Sequence, residues 1–116
     1  PDTPLILTKM GRSLQTYFDH AMVVAVRNEN VYFDVVGTRS DHLRHAIDLI
    51  GSHRILFGTD WSATWRWIRK PKDLYTLRLD VLKDANLTEE ERENILWRNA
   101  VRIFGLKDIE QAEAAE

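Results

Sequence analysis

At 116 residues, with 44% hydrophobic and 29% charged side chains, the chain is sized and composed for one folded domain with a single modest core. Acids and bases are interspersed and nearly balanced, with a formal net charge of -2 and a pI near 6.1, which argues against a nucleic-acid or anionic-membrane partner. The absence of cysteine excludes disulfides, thiolate metal sites and a cysteine nucleophile, and it agrees with the cytoplasmic location expected for this chain.

No apolar run approaches the roughly 18 residues that cross a bilayer, and the first residues have neither the basic start nor the apolar stretch of a signal peptide. The chain opens Pro1-Asp2-Thr3-Pro4 rather than on methionine, so it is expected to be a piece of something longer. Leu5 to Thr8 reads as a short buried strand that runs into a loop at Lys9, Met10 and Gly11. Leu14, Tyr17, Phe18, Ala21, Met22 and Ala25 recur at helical spacing, which predicts an amphipathic helix over about 13–28 with Ser13 as its N-cap. Val31 to Val36 is rich in β-branched and aromatic residues and stops at Gly37, as a strand would. A second helix follows, with Leu43, Ala46, Ile47 and Ile50 on one face, Ser40 or Asp41 as cap and Gly51 to end it.

Arg54 to Thr59 is the third predicted strand, so the chain reads β-α-β-α-β, the pattern of parallel strands joined by crossover helices. Trp61 to Lys70 is aromatic and basic without clean periodicity and is expected to be a loop with at most a helical turn. Leu74, Leu77, Val81, Leu82 and Ala85 form a helical stripe closed by Asn86. Thr88 and Glu91 then make a T-x-x-E capping box that opens a last helix through Phe104, and Gly105 stops it. The tail, 107–116, is rich in alanine and glutamate and is expected to be frayed or weakly helical. Three parallel strands cannot close a barrel, which takes eight β-α units and about 250 residues, and such a sheet standing alone has unprotected edges.

The segment Arg54 to Trp61 ends an apolar strand in a glycine, a hydroxyl and a carboxylate, which makes Asp60 a candidate metal ligand or proton acceptor. The alternative is an aspartate that caps the next helix or fixes a turn. Four segments together, Leu5 to Gly11, Asn30 to Gly37, Arg54 to Trp61 with its F-G-T-D-W, and Leu87 to Gly105 with its terminal R-N-A-x-R-x-F-G, resemble the amidohydrolase-2 branch of the metal-dependent TIM-barrel amidohydrolases. They look like the sixth, seventh and eighth strands of that barrel and its closing helix. The fold class implied is α/β, a partial (β/α)8 barrel of three parallel strands with additional C-terminal helices, spanning residues 1–106.

By this resemblance Asp60 matches the aspartate that binds a divalent metal, zinc or manganese, and helps to orient or deprotonate the attacking water. It would act as a ligand here only if the rest of the barrel were supplied, and the chain alone is expected to bind no metal. Lys9 stands where the family has the histidine of a G-H-x-G segment, and a protonated lysine neither ligates a metal nor accepts a proton. Three readings of Lys9 stay open: it pairs with a carboxylate in place of the missing cation, it is solvent exposed, or it is a desolvated Schiff-base nucleophile. His20, His42, His45 and His53 fall on helices or in a turn away from the strand ends, so they are read as surface or packing residues.

Trp61, Trp65 and Trp67, crowded with Arg66, Arg69 and Lys70, offer either a packed loop or a cation-π surface for a substrate or partner. Asn99 is read as a buried hydrogen-bonding residue, and Asp34 as a polar residue facing a barrel interior or pairing with a neighbouring cation. Together these features predict the C-terminal portion of a metal-dependent hydrolase or decarboxylase that acts on a small carboxylate, lactone or amide, inactive as this chain alone. The rival is a non-catalytic, self-associating half-barrel scaffold. In either case the expected partner is the missing half or a second copy of the chain.

Overall fold

The computed structural model describes residues 2–61 and 71–107. β1 (Leu5–Leu7), β2 (Val31–Asp34) and β3 (Ile55–Leu56) form a sheet in the order β1-β2-β3, and both pairings are parallel. The register sets Leu5 opposite Val31, Leu7 opposite Phe33, and Asp34 opposite Leu56. Each strand is shorter than its hydrophobic run. Thr8, Val35, Val36 and the stretch from Phe57 to Thr59 lie beyond the ladder, although the Val35 N–H still donates to the Leu56 carbonyl at 3.0 Å.

α1 (Gln15–Arg27) and α2 (Ser40–Ile50) are the two crossovers, and a 3-10 turn at Ser52–Arg54 leads into β3. After the undescribed segment come α3 (Pro71–Asp84), α4 (Glu89–Glu93), a π-helical turn (Asn94–Arg98) and α5 (Asn99–Phe104), the last three in one continuous run. The expected loop over Trp61 to Lys70 lies outside the described residues except for Trp61, and so does the tail beyond Lys107. No helix among the described residues is long and apolar enough to cross a membrane.

Alternation along β2 separates two faces. Val31, Phe33 and Val35 are buried with Phe18, Met22 and Ala25 of α1, Leu43, Ala46 and Ile47 of α2, and Leu82, Ala85 and Ile95 from the C-terminal helices. Phe18 and Phe33 are fully buried, each stabilising the fold by about 1.5–3 kcal/mol. Both crossover helices therefore cover the same side of the sheet, and Tyr32, Asp34 and Val36 alternate toward the other. The predicted α1 stripe is broader than its buried face: Phe18, Met22 and Ala25 are buried, whereas Leu14 and Tyr17 are exposed beside Val23, Val24 and Val26. On α3, Leu74 and Leu82 are buried and Leu77 is exposed.

Helix ends divide into those the local sequence sets and those it does not. Thr88 and Glu91 complete the capping box, with Glu91 N–H to Thr88 Oγ1 at 3.1 Å and Thr88 N–H to Glu91 Oε2 at 3.0 Å. The same Glu91 carboxylate receives Arg44 of α2 at 2.8 Å, and that guanidinium holds the Glu91 carboxyl below the usual range. Gly105 ends α5 with φ 60°, and Asn86 follows α3 with φ 54°. Ser13 does not cap α1. Leu14 occupies the N-cap position without a side-chain bond, and Ser13 Oγ instead donates to the Gly37 carbonyl at 2.6 Å. Neither Ser40 nor Asp41 caps α2, because the helix already includes both; Arg39 is the N-cap residue and pairs with Asp41 at 2.6 Å.

Two buried polar side chains fasten the layers. Arg54, which reads in the sequence as the start of a strand, is buried, and its guanidinium donates to the carbonyls of Val31, Ala25 and Asn28 at 2.7–2.8 Å. Asn99 is fully buried and donates to the carbonyls of Ser52 and Ile55, each at 2.7 Å. The Phe57 N–H donates to the Ile95 carbonyl at 2.9 Å, so the closing helical run is tied to β3 as well as to the turn before it.

Candidate functional site

The carboxyl ends of the three strands bring Lys9, Asp34 and Asp60 to one edge of the sheet. The connection from β1 to α1 is left-handed from Lys9 to Ser13: φ is 71° at Lys9, 33° at Met10, 83° at Gly11, 50° at Arg12 and 64° at Ser13. Four of these five residues carry a Cβ, and each pays about 1–2 kcal/mol in that region, so the turn persists only because its surroundings hold it. Met10 is plugged into the core, Arg12 N–H reaches the Lys9 carbonyl at 2.5 Å, Leu14 N–H reaches Gly11, and Ser13 ties to Gly37. Gly11 is required for a second reason. A Cβ there would lie 2.5 Å from the backbone nitrogen of Phe18.

Asp34, the last residue of β2, receives the Lys9 N–H at 2.8 Å and the Val36 N–H at 3.0 Å on the same Oδ1. Burial pushes its carboxyl above the ordinary value, the nearby Asp60 charge adds to that, and the two N–H groups and Lys9 oppose it. Gly58 of the F-G-T-D-W segment packs close by: a Cβ at that position would meet Val36 Cγ2 at 3.2 Å and Asp34 Cβ at 3.7 Å. Asp60 follows with φ 53°, and its Oδ2 lies 3.0 Å from Lys9 Nζ.

The Lys9 and Asp60 side chains keep 33% and 24% of their exposure, so the pair is a half-open one that stabilises the fold by no more than about 1 kcal/mol. Arg78 of α3, absent from the sequence reading, is the fourth charge. Burial lowers its pKa while the Asp60 and Asp34 carboxylates raise it, and its Nε is buried without a hydrogen-bond partner among the described residues. In the sequence it is an arginine between exposed Leu77 and half-buried Leu79, and nothing local distinguishes it from a solvated one.

Two carboxylates thus face two cations. The donor set does not by itself fit a divalent metal: Asp60 Oδ2 is against an ammonium, Asp34 Oδ1 is taken by two N–H groups, and no three His, Asp or Glu side chains cluster among the described residues. None of the histidines reaches this edge. His42 is buried, stacks on Phe18 with ring centroids 4.3 Å apart and lies 3.1 Å from Gln15 Oε1, while His20, His45 and His53 are exposed. Trp61 is half exposed, and Trp65, Trp67, Arg66, Arg69 and Lys70 lie outside the described residues.

Residues 1–106 match the model of the amidohydrolase family, which is nearly the whole chain. The chain belongs to the amidohydrolase-2 family. It is similar to the γ-resorcylate decarboxylase of Polaromonas sp. (strain JS666 / ATCC BAA-500), 34% identical over 85 residues that make up 72% of this chain and 23% of that protein. The chain therefore spans less than a quarter of the curated relative it matches. Within this amidohydrolase segment the fold is α/β with a three-stranded parallel sheet, and the terminal R-N-A-x-R-x-F-G motif has a structural use. Its Asn99 and Arg102 bond the carbonyls of Ser52, Ile55 and His53 before and within β3.

Asp34 gives this site a pH signature. Because burial raises its folded-state pKa above the ordinary carboxyl value, the native chain binds that proton more tightly than the unfolded chain does. The carboxyl's contribution to stability is therefore present below the unfolded value and falls as pH rises through the raised one. Asp34→Asn removes this dependence. In urea melts from acid to neutral pH, wild-type stability minus that of Asp34→Asn should decline with rising pH, and a difference that grows would contradict the assignment.

Proposed function

We propose that this chain is the C-terminal wall of an amidohydrolase-2 barrel, residues 1–106 followed by a tail at 107–116, in a hydrolase or decarboxylase acting on a small carboxylate. Support for the barrel comes from the placement of both crossover helices on one side of the sheet, which leaves Tyr32, Asp34 and Val36 alternating toward a face that other strands would enclose. In this reading Asp60 is one oxygen donor of a site whose other members lie outside the chain. Alone, the chain takes up no divalent metal, because Lys9 is the resident counter-ion of Asp60.

The observation that carries the reading is the 3.0 Å Lys9–Asp60 pair at the carboxyl edge of the sheet. An ammonium there can hold an anionic substrate group or stabilise charge that develops next to it, and Asp60 can accept a proton or orient a water. A cleft of about 490 Å³ beside Lys9 is lined by Thr8, Lys9, Gly11, Arg12, Leu14 and Tyr17, two cations and no acid, which suits a carboxylate. The relative's name makes decarboxylation of an aromatic acid such as γ-resorcylate the first activity to test.

Grafting this chain in place of the matching segment of the Polaromonas decarboxylase tests the reading. The chimera should release carbon dioxide from γ-resorcylate and lose that activity in Asp60→Asn; turnover indifferent to Asp60 would contradict the assignment. One observation favours the second reading, a self-associating scaffold. Leu5 on the outer strand is exposed, and so are Leu14, Tyr17, Val23, Val24 and Val26 along α1. Light scattering separates the two, since a tight dimer that releases no carbon dioxide in the chimera supports the scaffold.

A further inference from the structure

Lys9 faces Asp60 from a backbone conformation that an L-residue disfavours. Its φ of 71° begins the left-handed run, and the ammonium that meets Asp60 projects from that first residue. The groups that hold the run are unequal. Arg12 N–H to Lys9 and Leu14 N–H to Gly11 lie within the turn and move with it, whereas two ties anchor it to β2 and the loop beyond: Ser13 Oγ to the Gly37 carbonyl at 2.6 Å, and Lys9 N–H to Asp34 Oδ1 at 2.8 Å. The second acts on Lys9 itself. The carboxylate is in turn fixed by the Val36 N–H at 3.0 Å on the same oxygen, and Gly58 lies beside it, where a Cβ would come within 3.2 Å of Val36 Cγ2 and make ordinary contact with Asp34 Cβ at 3.7 Å.

We infer that Asp34 is a positioning residue: its Oδ1 binds the Lys9 main chain, keeps the β1–α1 turn left-handed and so aims the ammonium at Asp60. It acts as an acceptor rather than as a third charge. An amide oxygen in its place does the same work, while a methyl group lets the turn relax and Lys9 swing into solvent. The charged groups that face it are Lys9, Asp60 and Arg78. The inference rests on the Lys9–Asp60 site proposed above, but its test reads Lys9 alone and requires neither metal nor turnover.

Limited acetylation with an N-hydroxysuccinimide ester, read by peptide mass spectrometry, compares Lys9 with exposed Lys83 in the same molecule. Lys9 should react more slowly than Lys83 in the wild type and equally slowly in Asp34→Asn. In Asp34→Ala its rate relative to Lys83 should rise about threefold or more, as a partly exposed ion pair is lost. A folded Asp34→Ala protein with an unchanged Lys9 ratio overturns the inference, and so does an Asp34→Asn protein that behaves like alanine. Amide exchange in the wild type supplies the measurement should Asp34→Ala not fold. Lys9 and Val36 N–H groups are expected to be protected, and a Lys9 amide exchanging at the unfolded rate overturns the inference.

Discussion

Arg54→Met should destabilise the protein by about 3–5 kcal/mol, a large part of what a domain of this size possesses. The guanidinium is 7% exposed and gathers three carbonyls from three places: Ala25 in the last turn of α1, Asn28 just beyond it, and Val31 at the start of β2. Methionine fills similar volume, so the loss is not one of packing. It leaves Val31, which receives both Nε and Nη2, and its two neighbours short of donors in a place that water reaches poorly. Arg54→Lys should recover only part of the loss, because an ammonium cannot bond all three carbonyls in the fork geometry of a guanidinium. Urea denaturation checks this, with exposed Arg92→Met as a control expected to lie within about 0.5 kcal/mol of wild type. An Arg54→Met protein as stable as that control would mean that the buried guanidinium does not join α1 to β2.

Gly11→Ala is the second substitution with a large expected effect, about 2–4 kcal/mol from the sum of backbone strain and overpacking. The new methyl would lie 2.5 Å from Phe18 N, 2.8 Å from Phe18 Cα and 2.8 Å from Tyr17 C. All three are backbone atoms of α1, so no side chain can rotate away, and the turn must lift from the helix. Phe18 is the centre of the core and anchors α1 to His42 of α2, so α1 is not free to retreat. Gly105→Ala is the matched comparison: φ is 60° there too, but a Cβ would meet nothing within 4 Å, and the cost should stay near 1 kcal/mol. Thermal melts that give the two variants the same midpoint would show that the close approach at Gly11 is relieved in solution.

What the sequence made legible was local or periodic. Thr88 and Glu91 close a box within four residues, Gly105 and Asn86 adopt the left-handed conformations that glycine and asparagine tolerate, and the β-branched and aromatic run from Val31 marks a strand without any partner being known. The family resemblance was legible because four segments recur in order, and the match over residues 1–106 agrees with it. The parts that stayed hidden depend on groups distant in the chain. Ser13 has an N-cap's identity, yet its hydroxyl is claimed by Gly37, and Arg54 begins a β-rich run yet serves three carbonyls of earlier elements. The valines of α1, Val23, Val24 and Val26, remain exposed among the described residues. Lys9 and Asp60 were both legible as candidates. Asp34's hold on the Lys9 backbone and Arg78's approach to both carboxylates were not, since 25 residues separate the first pair and no local pattern announces either.

With Lys9 as the proposed counter-ion of Asp60, this chain is expected to carry no divalent metal of its own. Wild-type protein and Asp60→Ala, each equilibrated with zinc and separately with manganese, gel-filtered and quantified by elemental mass spectrometry, test that claim most directly. The prediction is far less than one equivalent of either metal in both proteins, with no difference between them. One equivalent in the wild type that disappears in Asp60→Ala would contradict it and return Asp60 to the role of a metal ligand in the chain as it stands.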